Sequence, residues 1–321
     1  MRIRCKFLVM AVILVIILPT VLAGILQDTS TANNTNAGET TAATQCTIAE
    51  PLSISVLMQN GIVQKMLLNN YLIGVVLCEM PATFNLEALK AQAVVARTYV
   101  LRRDLIGGKH ETAVVCVDSD CCQGYYDPEE YLKTGGTEDA LTKVKKAVNM
   151  TNDLVLLYNG ELIDATYFSC SGGMTEDALS VWGEDIPYLQ SIESLGEEKA
   201  KHYVDTVSFR VNDFLQLLEI KGNMSVEIRD ITYTNGGGVD SIAVCGKRFK
   251  GTEFRKKLGL RSTAFAISVV GDTVIITTKG FGHRVGMSQY GADAMADGGA
   301  GFQEILTHYY QGAQLATYNS N

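Results

Sequence analysis

The stretch Tyr71–Arg103, YLIGVVLCEMPATFNLEALKAQAVVARTYVLRR, constrains this chain most, because two apolar helical segments meet there at a corner that carries one carboxylate. Leu67–Leu77 has apolar residues on most faces, as a helix has when core surrounds it. Pro81 excludes Met80 from the α region, so the first helix ends there, and Asn85 is a good N-cap for a second helix from Leu86. Glu79 therefore sits at the interhelix corner. Along the second helix Leu86, Lys90, Ala93, Val94, Arg97, Val100 and Leu101 share one face, so two cations interrupt a stripe that should be core. Buried cations need partners. Lys90 and Arg97 read either as snorkelling side chains with their stems on the core, or as an anion- or carboxylate-capturing pair near Glu79.

With 321 residues, 47% of them hydrophobic, the chain can bury the core of one large domain or two small ones. The net charge of -8 comes without a long basic run, so no nucleic-acid partner is expected. Arg2, Arg4 and Lys6 precede Phe7–Leu26, an uncharged run long enough to cross a bilayer as a helix. Residues 1–26 are thus expected to form a cytoplasmic flank and a single-pass membrane anchor. A cleaved signal peptide is the alternative, since Val21-Leu22-Ala23 offers small residues for cleavage. Either way the remainder is expected outside the cytoplasm. Of eight cysteines Cys5 precedes the anchor, which leaves an odd number beyond it at irregular spacings, so a disulfide framework is not expected.

Residues 27–47, rich in Thr, Asn and Ala, read as a flexible tether. The folded domain is expected over 48–321 as an α+β fold, a mixed α/β body with an inserted or peripheral smaller α+β lobe at about 202–270. Pro51–Gln64 is strand-like, Lys109–Tyr126 is a cysteine-containing loop, and a helix covers Thr137–Asn149. Leu154–Tyr158 and Glu161–Phe168 should form a hairpin around Asn159-Gly160, which delivers Ser169–Gly173 as a loop. Within the lobe, helices are expected at Asn212–Leu218 and Gly251–Leu258; in the tail, at Ser288–Ala296 and Phe302–Tyr310.

Glycines and hydroxyl residues are dense at 169–175 and at 280–291, between regular elements, where loops either line a site or simply turn. His283 reads as a general base, a ligand or a structural histidine. A Ser169–His283 hydrolase pair is an alternative, although Ser169 lacks the G-x-S-x-G context. His110, Cys116 and Cys122 recur at intervals of six residues with Cys121 adjacent, a donor set that suits zinc. A disulfide from Cys116 to Cys121 or Cys122, or free thiols, are the other readings.

The runs GVVLCEMP, EALKAQAVVARTY, SCSGGMTED with VWGEDIPYL, and GHRVGMSQYGADAMA with EILTHYYQG resemble, in order, the stage II sporulation protein D family. The resemblance covers essentially the whole exported domain. It implies a membrane-anchored peptidoglycan lytic transglycosylase that cuts between N-acetylmuramic acid and N-acetylglucosamine during engulfment, forming a 1,6-anhydro end. Its catalytic domain would face the space between mother cell and forespore. The glutamate of the EMP motif, Glu79, would be the catalytic acid/base. Lys90, Arg97, Thr175 and Tyr188 would fall on positions around the substrate cleft, with Ser169, Ser171, His283, Ser288 and Gln289 as further cleft residues. Peptidoglycan glycan strands and the stage II sporulation proteins P and M are the implied partners. No cofactor is implied for the chemistry, but some members hold structural zinc through one His and two Cys, a role His110, Cys116 and Cys122 would fill. Family members commonly have glycine where Arg284 stands, so the loop after His283 is expected to differ locally. A single carboxylate suits a reaction in which the substrate's own 6-hydroxyl, rather than water, attacks. Such a group needs a raised pKa, which Val75, Val76, Leu77 and Met80 would supply; Lys90 and Arg97 would oppose it and are therefore expected to face substrate carboxylates or structural acids. A catalytically idle glycan-binding scaffold that recruits another wall enzyme is the rival reading.

Overall fold

Two separate hydrophobic cores divide the residues described by this computed structural model, 52–222 and 225–319, into a body and a lobe. The expected anchor and the expected tether, together 1–47, lie outside the described residues. Among the described residues no helix is long and apolar enough to cross a membrane.

The strand-like start resolves into a hairpin, Ser53–Leu57 antiparallel to Val63–Leu67, with Val115–Cys116 added in parallel on the other side. Helix α1 (Leu68–Glu79) follows directly and stops where Met80 turns extended, φ -132° and ψ 133°, as the residue before proline must. Helix α2 (Leu86–Ile106) starts at Asn85, whose side chain accepts the Glu87 N–H at 3.0 Å. From Ala88 to Leu101 every α2 residue is buried. That follows from its position: α1, α4 (Glu138–Met150) and two helices of the tail pack around it, with the short α3 (Pro128–Lys133) before α4. Strand Leu154–Tyr158 then runs between Glu161–Leu162 and Gln314–Thr317, both antiparallel to it. Asn159 and Gly160 both have positive φ, 53° and 85°, as the tight hairpin turn requires. The return arm is shorter than expected. It ends at Leu162, because Tyr167–Phe168 leaves to pair in parallel with Met287–Ser288. Helix α5 (Ala178–Trp182) is capped by Asp177 and terminated by Gly183.

In the lobe, Thr273–Lys279 is the centre of an antiparallel sheet with Val204–Arg210 and Phe265–Val270, so its sheet extends past the expected limit at 270. Val274, Ile276 and Thr278 face inward at period two. A meander of Ile228–Tyr233, Val239–Val244 and Lys247–Lys250 forms the second sheet. Helices α6 (Val211–Leu217) and α7 (Gly251–Leu258) insert Phe214 and Phe254 into the shared core. The chain then returns to the body as α8 (Gln289–Asp297) and α9 (Phe302–Tyr309). The result is a mixed α/β fold with an inserted lobe.

Candidate active site

The end of α1, the cysteine loop and the paired strands Tyr167–Phe168 and Met287–Ser288 converge on a cavity of about 670 Å³. Glu79 lines it. Its Oε1 accepts the Gly124 N–H at 2.5 Å, and the Tyr167 hydroxyl stands beside the same carboxyl group. Gln123 Nε2 in turn lies 3.4 Å from the Tyr167 oxygen. Burial raises the Glu79 pKa above the ordinary glutamate value, and the bonds from Gly124 and Tyr167 partly oppose the rise. Position 124 has to be glycine for this contact: a Cβ there would stand 2.8 Å from Cys78 Sγ and 3.0 Å from Glu79 Oε1.

Ser169, His283 and Gln289 line the same cavity. The His283 ring sits between Phe168 and Trp182, with centroids 5.7 and 5.3 Å away, and its Nδ1 accepts the Val285 N–H at 3.1 Å. Burial, with a smaller push from Arg255, lowers its pKa to about 4, so the ring is neutral near pH 7 with its proton on Nε2. Among the described residues no hydrogen bond joins Ser169 to His283, so the nucleophile and base contact of a hydrolase pair is not formed.

Four other expected cleft residues sit behind the wall rather than on it. Ser171 Oγ donates to Glu197 at 2.9 Å, and Thr175 Oγ accepts the Ile192 N–H at 2.9 Å. The Tyr188 hydroxyl accepts the Asp164 N–H at 2.9 Å, and Ser288 caps α8 by accepting from Gly291. The structure brings neither Lys90 nor Arg97 to the cavity. Lys90 pairs with Glu87 at 2.6 Å and lies over the Phe302 ring, which ties α2 to α9. Arg97, 1% exposed, donates to the carbonyls of Thr151, Leu154 and Val148 at 2.7, 3.2 and 3.3 Å. It thus satisfies the carbonyl end of α4, where a cation also meets the helix dipole favourably. Burial pushes its pKa down to about 10, which leaves it charged at neutral pH.

The cations that do line the cavity are Arg103 and Lys109, with Arg103 paired to Asp164 at 3.4 Å. Neither was singled out from the sequence, nor were Tyr167, Gly124 and Trp182. For Tyr167 there was a signal: it stands two residues before Ser169, so an extended backbone puts both on one face.

The cysteine loop closes one side of the cavity. Donor atoms of His110, Cys116, Cys121 and Cys122 all lie within 4.8 Å of one another. Cys121 therefore joins the three candidate ligands expected from spacing, and a Cys₃His set could hold zinc as a closed tetrahedral site. Buried hydroxyls around it fit a metal: Tyr71 Oη, close to Cys122 and Cys116, has no hydrogen-bond partner among the described residues, and the Tyr99 hydroxyl lies near Cys122. Metal-bound thiolates would accept such O–H groups. Among the described residues Cys78, Cys116, Cys121, Cys122, Cys170 and Cys245 are all free thiols.

A family model described as SpoIID, stage II sporulation protein, matches residues 58–158, the span from the first hairpin through α1, α2 and the cysteine loop to strand Leu154–Tyr158. Stage II sporulation protein D of Bacillus subtilis (strain 168) is 42% identical over 274 residues, covering 84% of this chain and 80% of that protein. The stage II sporulation protein D of Bacillus amyloliquefaciens is 38% identical over 323 aligned positions, 96% and 94% of the two chains. The chain therefore belongs to the SpoIID family of stage II sporulation proteins. It is also similar to the amidase enhancer of Bacillus subtilis (strain 168), 30% identical over 76% of this chain and 40% of that longer protein.

Proposed function

We propose that this chain is a peptidoglycan lytic transglycosylase of sporulation, cleaving the bond from N-acetylmuramic acid to N-acetylglucosamine with formation of a 1,6-anhydro ring during engulfment. The observation that carries the reading is Glu79, a carboxyl group desolvated at a helix end, held by Gly124 and Tyr167, and facing a cavity open to solvent. Burial shifts the Glu79 pKa upward, which favours the protonated carboxyl that a general acid needs. Its proton passes to the glycosidic oxygen as the bond from C1 to that oxygen breaks. The resulting carboxylate then takes the proton of the 6-hydroxyl as O6 bonds to C1, so no water is consumed and the acid is regenerated. The Gly124 N–H and the Tyr167 hydroxyl hold the carboxyl for both transfers. Zinc on His110, Cys116, Cys121 and Cys122 would be structural, bracing the loop that carries Gly124. The expected anchor at 1–26 would hold the domain at the mother-cell membrane, where the stage II sporulation proteins P and M are proposed partners.

Full-length protein in detergent, incubated with glycan strands stripped of stem peptides, is expected to release products with anhydromuramoyl ends by mass spectrometry. Products with reducing ends alone would reject the lyase chemistry. Glu79→Gln should abolish release while keeping the fold. Activity should decline as pH rises through the raised Glu79 pKa, because only the protonated group donates. The rival reading, an idle glycan-binding scaffold, predicts binding by the wild-type chain without any product.

A further inference from the structure

Trp182 is the single tryptophan of the chain, and it stands 43% exposed between two concavities. On one side it lines the Glu79 cavity, with its ring 5.3 Å from that of His283. On the other it lines a separate pocket of 240 Å³ on the seam between body and lobe. Its support is rigid. His283 is fixed by the Val285 N–H and by Phe168, and α5 is clamped between the Asp177 cap, 2.7 Å from Ser180 N, and Gly183 at φ 82°. The ring therefore presents a fixed apolar face to solvent.

The seam pocket has the chemistry of a sugar rather than of an ion. Its walls carry Ser180 from α5 and Asp240, Lys250 and Thr252 from the lobe, so donors and acceptors are both present; Asp240 and Lys250 carry opposite charges, and the second lining acid, Glu176, is paired with Arg284. At its base the Glu176 carboxyl is 0% exposed, and its Oε2 has no hydrogen-bond partner among the described residues. Oε1 of the same group is occupied by Gly238 N–H, Thr234 and Arg284 at 3.0, 2.8 and 3.2 Å. A drug-sized ligand takes roughly 300–1,000 Å³, so this pocket suits about one pyranose ring. A pyranose offers several hydroxyls at its rim and an apolar C–H face, the counterpart of polar walls with an aromatic ring at the mouth.

We propose that Trp182 and the seam pocket form an outer carbohydrate subsite: a glycan strand held at Glu79 crosses the Trp182 ring and seats a further sugar between body and lobe. The inference rests on the glycan reading of the Glu79 cavity. It gives the lobe a role in substrate binding, since Asp240, Lys250 and Thr252 come from it. Arg284 keeps the seam closed by joining Glu176 to the Gly236 carbonyl.

The single tryptophan makes the test direct. Full-length Glu79→Gln protein is titrated with N-acetylglucosamine oligomers of increasing length, following tryptophan emission and, independently, calorimetric heat. The expected result is an emission shift on binding, with affinity rising about tenfold once the oligomer is long enough to reach the seam, roughly 1.4 kcal/mol. Lys250→Ala, read by calorimetry in the same Glu79→Gln background, should lose that gain for long oligomers and leave short ones unchanged, and Trp182→Ala should lose the gain as well. Trp182→Phe, which keeps an aromatic face, should retain most of it and thereby separates loss of stacking from loss of fold. Oligomers that bind by heat without moving the emission, or equal affinities for short and long oligomers, overturn the subsite. Anhydromuramoyl product formation by the wild-type chain is measured separately: emission response without product rejects the lytic reading alone, product without emission response rejects the subsite alone, and no binding by either readout rejects the subsite.

Discussion

Replacing Arg284 with glycine, the residue its positive φ favours, tests whether one buried guanidinium joins the lobe to the body. Arg284 has φ 68°, in the left-handed region that favours glycine, yet it keeps a long side chain there. The guanidinium meets Glu176 at 3.2 Å with the two side chains 3% and 0% exposed, and it donates at 2.7 Å to each of the carbonyls of Ser171, Met174 and Gly236. Removing one partner of a buried ion pair costs about 3–5 kcal/mol, because the other charge is left without compensation. Relief of the left-handed backbone returns about 1–2 kcal/mol, and the added freedom of glycine in the unfolded chain takes back about 0.4–1 kcal/mol. The net expectation for Arg284→Gly is a loss of about 2–4 kcal/mol in denaturant unfolding at pH 8. Burial already raises the Glu176 pKa, with Arg284 opposing. Without the arginine that carboxyl takes up a proton more readily in the folded state than in the unfolded one, so stability recovers as pH falls and the deficit should shrink at pH 5. Adding Glu176→Gln removes the stranded charge and should restore part of the loss. A single variant within about 1 kcal/mol of wild type, or a double variant no more stable than the single, would refute the reasoning.

Arg97→Met should cost about 3 kcal/mol of stability, since two carbonyls at the end of α4 and the Leu154 carbonyl lose a charged donor, and leave glycan affinity unchanged; reduced affinity at full stability would show that Arg97 reaches substrate after all. Gly124→Ala forces a Cβ against Glu79 and Cys78, so turnover should drop about 100-fold with an unchanged circular dichroism spectrum, and turnover near wild type would remove the Gly124 contact from the mechanism. Protein purified without chelator should carry one zinc per chain by elemental analysis, its melting temperature should fall on metal removal, and Cys121→Ser should hold the metal more weakly. Absence of stoichiometric zinc sinks the metal site.

The corner that carries Glu79 was legible from neighbouring residues, because Pro81 and Asn85 act on the backbone within a few positions through sterics and one local hydrogen bond. The same holds for the turn at Asn159-Gly160, and the long motifs carry the family resemblance in the sequence alone. Three of the four clustered His and Cys side chains were visible as spacing. The surroundings of the corner were not. Gly124 and Tyr167 reach Glu79 from distant segments, and only packing of the cysteine loop and the strand pair Tyr167–Phe168 with Met287–Ser288 brings them there. Lys90 and Arg97 show the limit most directly: helical periodicity gives the direction in which a side chain points, but what lies opposite is decided by other elements. For Arg97 that is the carbonyl end of α4, and for Arg103, less than two turns further along the same helix, it is the cavity. Local sterics therefore determined where the acid stands, while the fields that tune it, the gathering of the His and Cys donors and the Trp182 platform leading away from it arose from how the elements pack.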